Sequence, residues 1–175
     1  QSVARAISNL NNDEHIVAAI SSDIISSALV LAQNAAHTDR NTYLAHKIIC
    51  RPIGKDIPGY KLTKTDHDTV IETEVLNTAL SSFNELLLSE SEVPLEDSIY
   101  ILDIDLDYFN TAQSVRPKDG SKFKNLLKNA SLITIATEPE YVQSCAIESG
   151  ITSKFLLDEL NEEFFILQRI PKQSL

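Results

Sequence analysis

Residues 100–109 read YILDIDLDYF, and the placement of this stretch decides the fold. Tyr100–Leu102 belong to an apolar, β-rich run, after which Asp103, Asp105 and Asp107 fall at alternate positions. Side chains of an extended chain alternate between faces, so this spacing puts the three carboxylates on one face while the chain stays extended. Three such acids repel one another and are costly to bury unpaired. They belong at the carboxyl end of a strand in an open parallel sheet, where functional residues gather. Ser98–Leu106 is therefore read as a strand with its acids beginning where the apolar residues stop.

Outward from that strand, helix and strand patterns alternate. On the amino-terminal side, Ile16, Ile20, Ile24, Ala28 and Leu31 recur at helical spacing and predict a helix over Asp13–Ala36, capped from Asn11–Asp13. Lys47–Ile53 is a short β-type run stopped by Pro52 and Gly54, and Asp56–Asp68 reads as a loop. A second helix is expected over Glu72–Leu88, with Val75, Ala79, Phe83 and Leu86 or Leu87 inward, followed by an acidic connection, Ser89–Asp97. Beyond the strand come a loop through Pro117 and Gly120, a short helix at Lys122–Asn129, and the β run Ser131–Thr137, closed by Pro139. Helical segments over Glu140–Ser149 and Thr152–Gln168 finish the chain, the latter with Phe155, Leu156, Leu160, Phe164 and Leu167 as its buried stripe. Continuously apolar strands alternating with helices point to a three-layer α/β fold, a mostly parallel sheet covered on both faces. The chain is expected to form one domain over residues 1–175.

Composition narrows the function classes. The 175 residues carry a formal charge of −10, which argues against nucleic-acid binding. No apolar run approaches a bilayer span and Gln1–Leu10 lacks a signal-peptide core, so a cytoplasmic protein without a membrane partner is expected. Cys50 and Cys145 form no motif and read as buried free thiols. From Thr65 to Val115 there are twelve Asp and Glu residues and no Lys or Arg. Such a field favours a cation, either a metal ion or a cationic substrate. Further on the sign reverses at Arg116, Lys118, Lys122, Lys124 and Lys128, which read as a solvated face. The chain contains no Met and does not begin with one, so a processed chain or an excerpt of a longer one is expected.

Convergent carboxylates at the aspartate spacing suit a hard divalent cation, whose charge offsets their repulsion and desolvation. The competing reading turns Asp105 and Asp107 to solvent or to a turn cap. By itself, an apolar run ending in D-x-D is shared with aspartate-dependent phosphatases and nucleotide-sugar glycosyltransferases. A phosphatase loop would follow D-x-D with small residues. Leu106, Asp107, Tyr108 and Phe109 follow instead, and the chain is short for a glycosyltransferase.

Taken together, "LDIDLDYF" and "LITIATEPEY" about thirty residues later resemble a divergent arginase-related family of the ureohydrolase superfamily, the branch that includes peptide arginases. The resemblance covers Ser98–Tyr141. It implies an arginase-like fold and a centre of two manganese ions, with Asp103 and Asp105 as ligands and Asp107 as a third acid of the divergent branch. It further implies hydrolysis of a guanidino group, with peptidyl arginine giving ornithine and urea. At the end of the next strand, Glu138 matches the glutamate that holds the guanidinium in this superfamily. Its competing role is to favour the start of the following helix electrostatically, with Pro139 as first helical residue. Ureohydrolases also carry D-x-H-x-D on an earlier strand, which this chain lacks. The nearest stretches are "NDEHI" around His15 and "TDHDT" around His67. His67 is the candidate ligand or proton shuttle, against a solvated loop histidine. A non-catalytic binding module that keeps the fold and the acidic pocket is the remaining alternative.

Overall fold

The structure, a computed structural model, describes residues 14–33, 39–52 and 61–168. The chain divides into two compact units, Gln1–Pro52 and Ile53–Leu175.

The first unit contains helix α1 (Glu14–Ser21), strand β1 (Ala28–Ala32), helix α2 (Arg40–His46) and strand β2 (Ile48–Pro52). The expected helix through Ala36 therefore stops at Ser21, and its second half is a strand; positions 11–13 and 34–36 lie outside the described residues. The break falls at Ser21–Ser22–Asp23. Short polar side chains compete for backbone hydrogen bonds there, and Asp23 adopts the left-handed conformation at φ 55°, which Asp tolerates better than most residues. β1 and β2 pair in parallel, with Ala28 opposite Ile48 and Ala32 opposite Pro52. α2 starts at Asp39, whose carboxylate accepts the Thr42 N–H at 2.7 Å. It ends at Lys47, left-handed at φ 58°. Tyr43, Ile49 and Arg51 are buried.

The second unit contains helices α3 (Lys64–Asp68) and α4 (Thr73–Ser89), strand β3 (Ile101–Asp105), helix α5 (Ser121–Asn129), strand β4 (Leu132–Ala136), and helices α6 (Pro139–Cys145) and α7 (Ser153–Gln168). α3 occupies part of the segment expected as loop. It forms because Thr63 and Asp66 make a reciprocal capping box, which satisfies backbone donors at both positions. α4 buries Leu76, Leu80, Phe83 and Leu87, a stripe one residue round from the Val75 and Ala79 side. It packs against α5, which buries Phe123 and Leu127. The starts of these two helices are tied together. Thr73 Oγ donates to the Asp119 carbonyl at 2.9 Å, and the Glu72 carboxylate accepts the Lys118 and Asp119 N–H groups. Gly120 is required at the α5 start, because a Cβ there would lie 2.7 Å from Pro117 Cγ.

β3 and β4 are parallel, with α5 between them in sequence; Asp103 pairs with Thr134 and Asp105 with Ala136. Both described sheets are parallel and two-stranded, so the fold is mixed α/β. Among the described residues β3 is covered on one face and not on both as expected. Ile104 is buried, as are Leu80 of α4, Leu127 of α5 and Leu160 of α7. On the opposite face Ile101, Asp103, Asp105, Leu132 and Thr134 are exposed. Cys145 is exposed, at the last position of α6, and Cys50 is half-buried, so neither is buried as expected, and the two form no disulfide. Among the described residues no helix is long and apolar enough to cross a membrane.

Candidate functional site

Asp103 and Asp105 lie within β3 and not beyond its end. They project from its exposed face two residues apart, at a spacing of about 7 Å along the strand. Exposure removes most of the desolvation cost that their sequence positions imply. Across the pair, Thr134 Oγ donates to Asp103 Oδ1 at 2.5 Å. This bond fixes one carboxylate oxygen and leaves the other for a ligand.

Asp107 departs from the shared face. β3 ends at Asp105, and Leu106–Tyr108 form a 3-10 turn. Three residues per turn break the period of two, so the extended-chain argument stops at Asp105. Leu106 drives the turn, being fully buried. The turn is closed by Asn110, whose side-chain amide donates to the Asp107 carbonyl at 2.8 Å. Tyr108 is half-buried, and burial pushes its phenol up, so it stays protonated at neutral pH.

Glu138 caps the amino end of α6 with Pro139 in the first turn, but its side chain makes no capping hydrogen bond. It is exposed two residues beyond Ala136, the register partner of Asp105. Beside it, Pro139, Gln143, Glu148, Gly150, Ile151 and Ser153 line a cleft of about 470 Å³. Ser153 Oγ donates to the Thr137 carbonyl, joining the start of α7 to the end of β4.

His67 lies on α3 and is half-buried, not in a solvated loop. Its Nδ1 is buried and has no hydrogen-bond partner among the described residues. The structure does not gather it with the aspartates: among the described residues, no three His, Cys, Asp or Glu side chains come together in a metal-holding group. The donors that do share a face are two carboxylates and a hydroxyl. Hard oxygens of this kind fit one manganese or magnesium ion that keeps several waters.

Sequence reasoning misses a polar hub behind the turn. Asn110, Thr111 and Ser114 are almost fully buried. Thr111 Oγ accepts the Ser114 N–H at 3.1 Å, and the Thr111 carbonyl accepts the Ser114 hydroxyl at 2.6 Å. Lys64 Nζ lies 2.9 Å from both Asp68 and Glu148, and Glu148 accepts the Ala112 N–H at 3.0 Å. The Asn-Thr-x-x-Ser run after Phe109 is a legible turn signal. Nothing in the sequence marks Glu148 as its partner.

No protein-family model, no curated protein and no solved structure matches this chain.

Proposed function

We propose that the chain is a metal-dependent hydrolase of a guanidino group, with Asp103 and Asp105 as ligands to manganese and Glu138 as the carboxylate that holds the guanidinium. One observation carries this reading. Asp103 and Asp105 share the exposed face of β3, with Glu138 just past the end of the strand paired to it. The carboxyl end of a parallel pair is where α/β folds place their ligands.

When bound, manganese supplies Lewis acidity to a water and to the guanidino group. The chain's own residues do the rest. Thr134 orients the Asp103 carboxylate by its hydroxyl. Glu138 accepts charge-assisted hydrogen bonds from the cationic guanidinium and fixes its plane. Water adds to the guanidino carbon, the bond to the side-chain nitrogen breaks, and that nitrogen takes a proton, leaving urea and an amine. For arginine within a peptide the amine is ornithine. His67 has no step in this scheme.

The test combines metal content with product. The wild-type chain, dialysed against manganese, should retain the ion and release urea from an arginine-containing peptide. An Asp103→Asn, Asp105→Asn double variant should lose both. Glu138→Gln should keep the metal and lose most of the urea. Metal retention without urea would instead favour the binding module, and no retained metal in the wild type would reject the hydrolase.

A further inference from the structure

We propose that the exposed face of the β3–β4 pair is a docking surface for an extended peptide that carries an arginine and, four residues away, a large apolar side chain. This deepens the hydrolase reading and rests on it for the place of the arginine, at the acid end of the same face. Alternation along β3 builds the surface. The Tyr100 hydroxyl donates to the Leu126 carbonyl on α5, and Ile104 is buried, so the even-numbered residues turn inward. Ile99, Ile101, Asp103 and Asp105 therefore face the other way. From β4 the register adds Leu132 beside Ile101 and Thr134 beside Asp103.

The face is graded along its length. At its start Ile99, Ile101 and Leu132 are 91%, 52% and 53% exposed. Singly exposed apolar residues are ordinary, but three that adjoin on one sheet face mark a place of contact. At the other end stand Asp103 and Asp105, with Glu138 just past β4. An occupant of the whole face must bring an apolar group to one end and a cation to the other. Their separation is set by the strand. Asp105 and Ile101 are four residues apart, about 13 Å, and an extended peptide rises by the same amount per residue.

Charge argues against a second copy of the chain as the occupant. The chain carries −10, and two such faces brought together would set carboxylates against carboxylates or, reversed, against apolar side chains. Neither arrangement pairs the acids, and an unpaired carboxylate is costly to bury. An arginine-bearing peptide meets the same acids with a guanidinium, which carboxylates hold by charge-assisted hydrogen bonds. Contact at the apolar end then supplies binding energy remote from the reacting group, which holds the arginine in place.

The experiment uses the full chain, its Ile101→Thr, Leu132→Thr double variant, and labelled peptides of one length with a single arginine. Threonine removes apolar surface and keeps strand propensity. The peptides carry leucine four residues from the arginine, on either side, or next to it, or serine in its place. Binding is read by fluorescence anisotropy and, in the wild type, by the methyl resonances of Ile101 and Leu132; turnover is read by urea release. Leucine four residues away should tighten binding about tenfold over serine, the effect of burying part of a leucine. It should also move both methyl resonances, a readout that needs no variant. In the double variant the difference between the leucine and serine peptides should disappear. A leucine effect that is the same next to the arginine, or that survives in the variant with the methyls unmoved, would overturn the proposal. So would sedimentation showing dimers of the wild type and monomers of the variant, which would give the face to a second copy. The two readings fail separately. Leucine-dependent binding without urea rejects the hydrolase and keeps the docking face, whereas urea release indifferent to leucine keeps the hydrolase and rejects the docking face.

Discussion

Asp107 separates two ways of understanding three alternating aspartates. Period-two spacing alone makes Asp103, Asp105 and Asp107 equivalent. The 3-10 turn that begins at Leu106 makes them unequal, because only the first two lie within the strand. Ligand charge count governs the affinity of a carboxylate site, so single substitutions should not be equivalent either. Asp105→Asn should weaken manganese binding about tenfold or more, and Asp107→Asn by about twofold or less. Titration against the free ion measures both. Equal losses would mean that Asp107 shares the site. The alternation was legible in the sequence; its interruption was not, because it depends on Leu106 entering the core. Thr134 was hidden for a similar reason. Its bond to Asp103 needs the register of two strands 31 residues apart.

Elements were legible where local signals and tertiary packing agree. The β3–β4 pair, α4, α5 and α7 fall close to their expected ranges, each marked by a strong apolar pattern. β1 is the contrary case. Ala28–Ala32 has an apolar run that suits helix or strand, and pairing with β2 decides it, as expected where propensity is weak. α3 carried a legible signal in the Thr63–Asp66 capping box, masked by the polar stretch before it. In α4 the helix was legible and its rotation was not. The buried stripe runs through Leu76 and Leu80, with Val75 and Ala79 only half-buried on its flank. Leu80→Ala should therefore cost about 2–5 kcal/mol, the range for a buried leucine whose cavity stays open. Val75→Ala should cost about 1 kcal/mol or less, since its side chain keeps much of its contact with water. Denaturant midpoints at unchanged m-value measure the difference. Similar losses at the two positions would put the stripe back on the Val75 side.

At the scale of the whole molecule, charge and ion pairing act in opposite directions as pH falls. The chain carries −10 at neutral pH and reaches zero net charge near pH 4.8. Acidification over that range relieves self-repulsion and favours the compact state. Against it stand carboxyls held below their ordinary values. For Glu148 the cause is Lys64 first and then the Ala112 N–H, and for Glu159 it is the hydrogen bonds from Arg116. Burial works to raise Asp68, but its partners, Lys64 first, outweigh it and hold the carboxyl low. A carboxyl depressed in the folded state contributes stability above its unfolded pKa, and that contribution is lost as pH falls through the folded value. The ordinary values are 3.8 for Asp and 4.5 for Glu, so this loss sets in only after most of the repulsion has been relieved. The exposed Arg116 pair contributes little, which leaves Asp68 and Glu148, both paired with Lys64, as the carboxyls whose loss Lys64→Met tests. Thermal midpoints should accordingly rise slightly from pH 7 to about pH 5 and fall below about pH 4. Added salt should raise the midpoint at pH 7 and change it little near pH 5, because screening acts on repulsion that has already vanished there. Lys64→Met should flatten the acid limb and leave the neutral limb in place. Melting curves across that series, at low and high salt, separate the two effects. A midpoint that falls steadily from pH 7, with the same acid limb in the variant, would show that the Lys64 pairs are not what acid breaks.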